Sequence, residues 1–241
     1  SSAPMSVCSA MSQGYIGYDL QNGIRAELIR RGIYKPVSTV LTQVTVDPYD
    51  EAFYTPVKVI GRVMNREEAD EEEAKGNHVK EVEGGFRRIV ASPHPVAIVE
   101  IDAIKALLDA DQIVIACGGG SVPVVRDAHG DYYGVDAVID KDFASECMAE
   151  QLDADMLIIL TAVEKVAVNF NKPNQKWLDA LTPEEARTYI GEGQFAPGSM
   201  LPKVEAAVKF AESKPGRTAL ITLLEKARDG IDGKTGTRVT C

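Results

Sequence analysis

The chain has 241 residues, of which 45% are hydrophobic, enough to bury the core of one large domain. Its net charge of −10 argues against nucleic acid or an acidic membrane surface as the main partner. No apolar run could span a bilayer, and the first residues lack the features of a signal peptide. Four cysteines without a CxxC pair favour a reducing compartment, the cytoplasm, and with three scattered histidines they predict no metal-binding residues.

Helical and strand patterns alternate along the chain. Helical patterns cover 13–31, 102–110 and 143–152, and strand patterns cover 37–46, 112–117, 135–139, 156–161 and 218–224. Continuous apolar strands separated by helices are typical of a mainly parallel sheet that is covered on both faces. The sequence therefore predicts an α/β fold.

Residues 47–95 interrupt this alternation. They hold four prolines, an acidic run from Glu67 to Glu73 and the pair Gly84-Gly85. The acidic run is typical of the solvated face of a short helix. We expect this segment to form an inserted, protruding subdomain or lid.

Two lysines stand at predicted helix starts, where the positive end of the helix dipole disfavours a cation. Lys203 follows Pro202, which suits a first turn, and Ser199, a natural N-cap. Lys141 stands in Asp140-Lys141-Asp142, in which Asp142 could serve as an N-cap. A bound anion would make a lysine favourable at both helix starts, because backbone N–H groups and the ammonium would converge on the anion. The alternatives are solvated lysines, or a cradle for a phosphoryl group in transfer.

Two loops follow predicted strands. The first, Gly118-Gly119-Gly120-Ser121, lets the backbone approach an anion, but Pro123 stands where a dinucleotide fingerprint needs its third glycine. It is either a tight turn or a ligand-binding loop. The second, 161–163, ends an apolar strand, which is where open α/β sheets bind ligands.

Five segments together resemble carbamate kinase, of the amino acid kinase superfamily: 11–19 (MSQGYIGYD), 135–142 (VDAVIDKD), 156–163 (MLIILTAV), 194–207 (QFAPGSMLPKVEAA) and 233–237 (GKTGT). The resemblance implies one amino acid kinase domain over 1–241, a three-layer α/β/α sandwich with a mainly parallel central sheet and a protruding subdomain at about 47–95. It also implies a homodimer that transfers a phosphoryl group reversibly between ATP and carbamate with Mg²⁺, giving ADP and carbamoyl phosphate. In arginine catabolism by the arginine deiminase pathway, this reaction commonly forms ATP.

The resemblance also implies roles for individual residues. Lys203 would bind the transferring phosphoryl group and the nucleotide phosphates, Asp142 would organise the lysines, and Lys141 would stabilise the transition state. The remaining residues would line the nucleotide (Thr161, Ala162, Val163, Gly198, Ser199, Met200) or the acceptor and its phosphate (Gly118, Gly119, Gly120, Ser121, Lys58).

The chain departs from the family pattern in three places. Ser121-Val122 replaces a Gly-Ile pair in the glycine loop, and the residues around Lys58 differ from the usual ones. The family's opening strand and its first glycine segments have no counterpart, so we expect an N-terminally incomplete domain. The alternatives to carbamate kinase are another amino acid kinase acting on a carboxylate, and a truncated, inactive nucleotide-binding subunit.

Overall fold

The computed structural model describes residues 3–241. Within them lie the helices α1 (Met5–Arg30), α2 (Arg66–Ala74), α3 (Ile101–Asp109), α4 (Lys141–Gln151), α5 (Pro183–Gly191), α6 (Met200–Glu212) and α7 (Ala227–Ile231). The strands are β1 (Val37–Thr39), β2 (Gln43–Val46), β3 (Lys58–Met64), β4 (His78–Val82), β5 (Gly85–Val90), β6 (Pro95–Ile98), β7 (Ile113–Ile115), β8 (Val122–Arg126), β9 (Tyr132–Gly134), β10 (Met156–Thr161), β11 (Val166–Val168), β12 (Lys176–Leu178), β13 (Ala180–Leu181), β14 (Thr218–Leu223) and β15 (Thr237–Val239). The chain divides after Ala144 into two compact units, called here the N-terminal unit and the C-terminal unit.

The N-terminal unit contains parallel strand pairs with antiparallel edges. β1 pairs with β7 and β2 with β8 in parallel, while β6 and β9 join the β2–β8 sheet in antiparallel fashion. The predicted strand 37–46 is two strands, because the chain leaves the ladder between Thr39 and Gln43. The buried Gln13 side chain of α1 occupies that break, accepting from the Thr42 N–H at 2.8 Å and donating to the Thr42 carbonyl at 3.0 Å.

A separate antiparallel sheet, β3-β5-β4, lies within residues 47–95 and carries α2 beside it. Asn65 and Glu68 begin α2 with a capping box, each side chain bonded to the other residue's backbone N–H. Glu67, Asp70, Glu71 and Glu73 are exposed on this helix. The acidic run is therefore the solvated face of a short helix, as predicted.

The C-terminal unit is built on the sheet β10-β14-β15-β13. β10 and β14 run parallel over six residue pairs, and α6 packs on β14. Val204, Ala207 and Phe210 of α6 and Leu220 of β14 are fully buried. β14 is apolar except for Thr218 and Thr222, and its four central residues are buried, as expected for a strand that is covered on both faces.

The predicted α/β class is confirmed, with corrections to individual elements. Residues 135–139 do not form a strand, since only an isolated parallel bridge joins Ala137 to Ala91. The predicted helices begin one to eight residues earlier than expected, and α4 starts at Lys141 rather than near Phe143.

Candidate active site

Lys203 lies in the first turn of α6, in the C-terminal unit. Its residue is only 8% exposed, which excludes the alternative of a solvated lysine. Ser199 is the N-cap residue of this helix, as predicted, but its side chain makes no capping hydrogen bond. Its φ of −130° and ψ of −90° lie away from the extended conformation usual for a capping residue. The N–H of Ser199 instead donates to the Ala196 carbonyl at 3.2 Å, within a tight turn.

A cavity of about 420 Å³ opens in the same unit at the carboxyl end of β10. Five of the residues predicted to contact a nucleotide line it: Thr161, Ala162, Val163, Ser199 and Met200. Gly198, at φ 71°, and Lys203 belong to the adjoining turn and helix but are not part of the cavity wall. Its size and its mainly apolar wall with a few polar groups suit a small organic ligand.

Polar groups of this cavity are held in place by its own loops. The N–H of Asn169 donates to Oε1 of Gln194 at 2.8 Å, joining two segments of the cavity wall. Lys165 Nζ lies 2.5 Å from Oδ1 of Asp179, and this hydrogen bond raises the pKa of the lysine. These two contacts hold the loops around the cavity in position.

In the N-terminal unit, four predicted or neighbouring residues meet at the start of α4. Asp140 Oδ2 accepts from Lys58 Nζ at 2.8 Å, and Asp140 Oδ1 accepts from the Asp142 N–H at 2.9 Å. Lys141 Nζ reaches Oδ2 of Asp142 at 3.2 Å. Capping of α4 therefore falls to Asp140, and the prediction that Asp142 could be the N-cap is wrong, because the helix begins two residues earlier.

The environments within this cluster differ. The Asp142 side chain is 8% exposed, whereas that of Lys141 is 64% exposed and can reach a ligand from solvent. Burial raises the pKa of Asp140, but hydrogen bonds from Lys58 and from the Asp142 backbone outweigh it and bring the pKa below its usual value. Asp140 is accordingly an anion that orients its neighbours.

The glycine loop of the N-terminal unit has a backbone that side chains rarely tolerate. Gly119, Gly120 and Ser121 have φ of 65°, 93° and 76°. A Cβ on Gly120 would stand 2.1 Å from the Ile139 carbonyl oxygen, so only glycine fits there. Burial raises the pKa of the preceding Cys117 thiol to about 11, which rules it out as a nucleophile at neutral pH.

The sequence does not predict the roles of three residues at these sites. It places Asp140 beside Lys141 but gives it no capping role, because the helix is expected to begin near Phe143 with Asp142 as its N-cap. Phe170 and Trp177 also line the cavity, in a stretch whose short strands give no periodic signal.

Across residues 3–241, no three His, Cys, Asp or Glu side chains are grouped so that they could hold a metal ion.

The family model of the amino acid kinase family matches residues 24–222. The chain belongs to the amino acid kinase family. It is 59% identical over 235 residues to the carbamate kinase-like protein YqeA of Escherichia coli strain K12, covering 97% of this chain and 76% of that protein. It is 56% identical over 239 residues to the carbamate kinase of Clostridium perfringens, covering 98% and 76%.

Solved structures of this amino acid kinase family agree. The carbamate kinase of Giardia lamblia bound to AMP-PNP superposes with a TM-score of 0.91 at 39% identity, covering 99% of this chain and 76% of that one. The resemblance to carbamate kinases is confirmed, and the homology is to kinase enzymes. No helix among the described residues is both long and apolar enough to cross a membrane.

Proposed function

We propose that the protein is a carbamate kinase, which transfers a phosphoryl group reversibly between ATP and carbamate and yields ADP and carbamoyl phosphate. The observation that carries the proposal is the cavity of the C-terminal unit, whose wall includes five of the seven residues that the motifs assign to a nucleotide. Relatives named carbamate kinase and a related structure bound to an ATP analogue support it.

Phosphoryl transfer depends on positioning and on neutralising charge, which matches the residues proposed to act. Lys203 is proposed to bind the nucleotide phosphates and the transferring group. Lys141 is proposed to stabilise the transition state. Asp142 is proposed to orient Lys141, because its Oδ2 accepts a hydrogen bond from the Lys141 ammonium. None of these roles needs a nucleophilic side chain, and the high pKa of Cys117 agrees with that.

On the acceptor side, we propose that Gly118–Gly120 and Ser121 hold carbamate or its phosphate through backbone N–H groups. Residues 47–95 are proposed to act as a subdomain that carries Lys58 to this loop region. The Lys58–Asp140 ion pair supports this role, because it joins β3 to the start of α4.

Mg²⁺ is proposed to enter as part of the nucleotide substrate. Mg²⁺ is commonly held by one or two carboxylates together with substrate phosphates, and it keeps several waters. Asp142, one of two aspartates at the start of α4, could supply such a carboxylate.

A second copy of the chain is proposed as a partner, through α1. Met11, Tyr15 and Tyr18 are 67%, 73% and 69% exposed and recur on one helix face, and only Gln13 and Gly17 of α1 are buried. Large apolar side chains in such a row favour an interface. A single-chain mass in sedimentation equilibrium would contradict the dimer.

The finer physiological setting is also proposed from the family: ATP formation in the cytoplasm at the end of arginine catabolism by the arginine deiminase pathway. The assay that tests the function measures ATP formed from ADP and carbamoyl phosphate. Acetyl phosphate, N-acetylglutamyl phosphate and aspartyl phosphate are run in parallel. Turnover of a carboxylate-derived phosphate in preference to carbamoyl phosphate would identify another amino acid kinase. Nucleotide binding without any turnover would identify an inactive subunit.

Lys203→Ala tests the mechanism. We expect turnover to fall by about 10²–10³, the range for loss of one group at developing charge. Lys226→Ala, an exposed lysine outside the cavity wall, is the control and should keep full turnover. Equal turnover of the two variants would refute the phosphate-binding role, and circular dichroism shows whether Lys203→Ala remains folded.

A further inference from the structure

The hairpin β11–β12 displays a tryptophan on the wall of the nucleotide cavity. Val166 pairs with Leu178, and both are buried. The next pair, Ala167 with Trp177, points to the opposite face, because side chains alternate along a strand. Both members of this second pair line the cavity. The small Ala167 leaves the indole standing beside open cavity volume.

A second aromatic ring supports this indole. Phe170 lies between Asn169 and Asn171, whose positive φ values of 53° and 60° turn the chain back towards β12. Its ring meets Trp177 edge-on, with centroids 6.2 Å apart and planes at 71°. An edge-to-face contact holds the two rings in a defined relative orientation.

No arginine lies over the Trp177 ring among the described residues. Among the described residues, the arginines that lie over aromatic rings use Phe86, Tyr132 and Phe210. The nearby Lys165 is engaged by Asp179 instead. Trp177 and Phe170 remain 46% and 49% exposed. A half-exposed aromatic pair on the wall of a ligand cavity is a surface on which a flat ring can stack.

We propose that Trp177 is a specificity-determining residue of this cavity, which stacks on the base of the nucleotide and makes the site prefer purines. The inference rests on the proposed function, since it takes the cavity as the nucleotide site. Base–aromatic stacking is available to every base, and a two-ring purine covers more of an indole than a one-ring pyrimidine does. Phe170 acts as a positioning residue, because it sets the angle of the indole.

The chain offers its own probe, since Trp177 is its single tryptophan. Titration with ADP is expected to change the Trp177 fluorescence saturably, and UDP is expected to bind more weakly. Trp177→Ala should weaken ADP binding about 10-fold or more in calorimetry and raise the KM for ADP, with kcat and the KM for carbamoyl phosphate little changed. Trp177→Phe should retain most of the affinity for ADP. In Trp177→Ala, the loss of affinity for UDP should be smaller than the loss of affinity for ADP.

Tyr49→Ala is the matched control, because Tyr49 is 81% exposed and lies outside the cavity wall. Wild-type affinity for ADP in a folded Trp177→Ala variant would overturn the inference and leave the proposed function standing. Equal losses for ADP and UDP would overturn the purine preference. A wild-type protein that neither binds ADP nor turns over would overturn the proposed function itself.

Discussion

Asp140 uses its two carboxylate oxygens to join β3 to the start of α4. One oxygen accepts from Lys58 of β3 and the other from the N–H of Asp142 in the first turn of α4. Burial raises the pKa of this carboxyl, yet the two hydrogen bonds bring it below its usual 3.8. A carboxyl with a lowered pKa in the folded state stabilises the protein above about pH 4. This contribution is lost as the pH falls through the folded-state pKa.

Lys58→Met is therefore expected to destabilise the protein near neutral pH and to matter less in acid. Without the ammonium, burial dominates and the pKa of Asp140 rises, so protonation of this carboxyl at low pH removes most of the loss. At neutral pH the loss of a charged hydrogen bond should cost about 1–3 kcal/mol. Urea unfolding followed by far-UV circular dichroism at pH 7 and at pH 3 measures the loss at each pH.

The control is Lys75→Met, which removes an exposed lysine that pairs with Glu72 in the same segment. Exposed pairs contribute about 0–1 kcal/mol, so its free energy of unfolding should stay close to that of the wild type at both pH values. A loss for Lys58→Met that is the same at both pH values would show that Asp140 is not responsible for it.

Among single residues, the sequence identifies those in an unfavourable local position and misses those whose role depends on the folded structure. Lys203 and Lys141 could be singled out because cations are unfavourable at a helix start. Asp140 could not, because its role depends on where α4 begins. Ser121 could be noted as a departure from the family loop, but its φ of 76° appears only in the structure. Trp177 depends on the register of two three-residue strands.

At the scale of elements, α4 and α6 are joined by a pair of charges. Glu146 of α4 is completely buried, and its Oε2 accepts from Lys209 Nζ of α6 at 2.6 Å. Burial raises the pKa of Glu146, with a further rise from Glu150, and Lys209 opposes this. The raised pKa means that Glu146 favours the folded state most at low pH, and that this advantage is lost as the pH rises through the folded-state pKa.

Lys209→Met is expected to leave a buried carboxylate without its cation. The free energy of unfolding should fall by about 3 kcal/mol at pH 8, the low end for a broken buried pair because the ammonium is half exposed. The loss should shrink as the pH is lowered to 5, because protonation of Glu146 removes the buried charge and the pKa of this carboxyl is raised. Urea unfolding at the two pH values gives both numbers.

Two further variants define what this loss means. Glu146→Leu combined with Lys209→Met should recover most of the stability, because no charge is left buried. Arg187→Met removes the exposed Arg187–Glu212 pair that joins α5 to α6, and should cost less than about 1 kcal/mol. A loss for Lys209→Met that is the same at pH 5 and pH 8 would contradict the electrostatic explanation.

Elements with a clear periodicity could be predicted, and those made by long-range pairing could not. The apolar spacing of α6 and the run of β10 identify both elements to within a few residues, because local pattern and burial agree. β11 and β12 are three residues long, too short for an alternation to be recognised. For residues 47–95 the sequence predicts a protruding subdomain but not the sheet β3-β5-β4. β4 and β5 form a local hairpin, whereas β3 pairs with β5 across the intervening α2 and β4.

For the molecule as a whole, the net charge of −10 opposes an anionic ligand at long range. Binding of a nucleotide must therefore depend on local lysines and backbone donors, which act at short distance. Tryptophan fluorescence reports only on the C-terminal unit, because the single tryptophan lies there. Seven of the eight tyrosines lie before Ala144, so tyrosine signals report mainly on the N-terminal unit.

Saturation with ADP is expected to stabilise the protein against heat. A ligand at 100 times its Kd adds about 2.7 kcal/mol if it binds only the folded state. For a protein of this size, that corresponds to a rise in Tm of about 5 °C or more, read from Trp177 fluorescence. Lys203→Ala should reduce the rise at the same ADP concentration, because the nucleotide phosphates lose a charged partner, whereas Lys226→Ala should keep it. An unchanged Tm for the wild type at saturating ADP and Mg²⁺ would mean that the cavity of the C-terminal unit is not a nucleotide site.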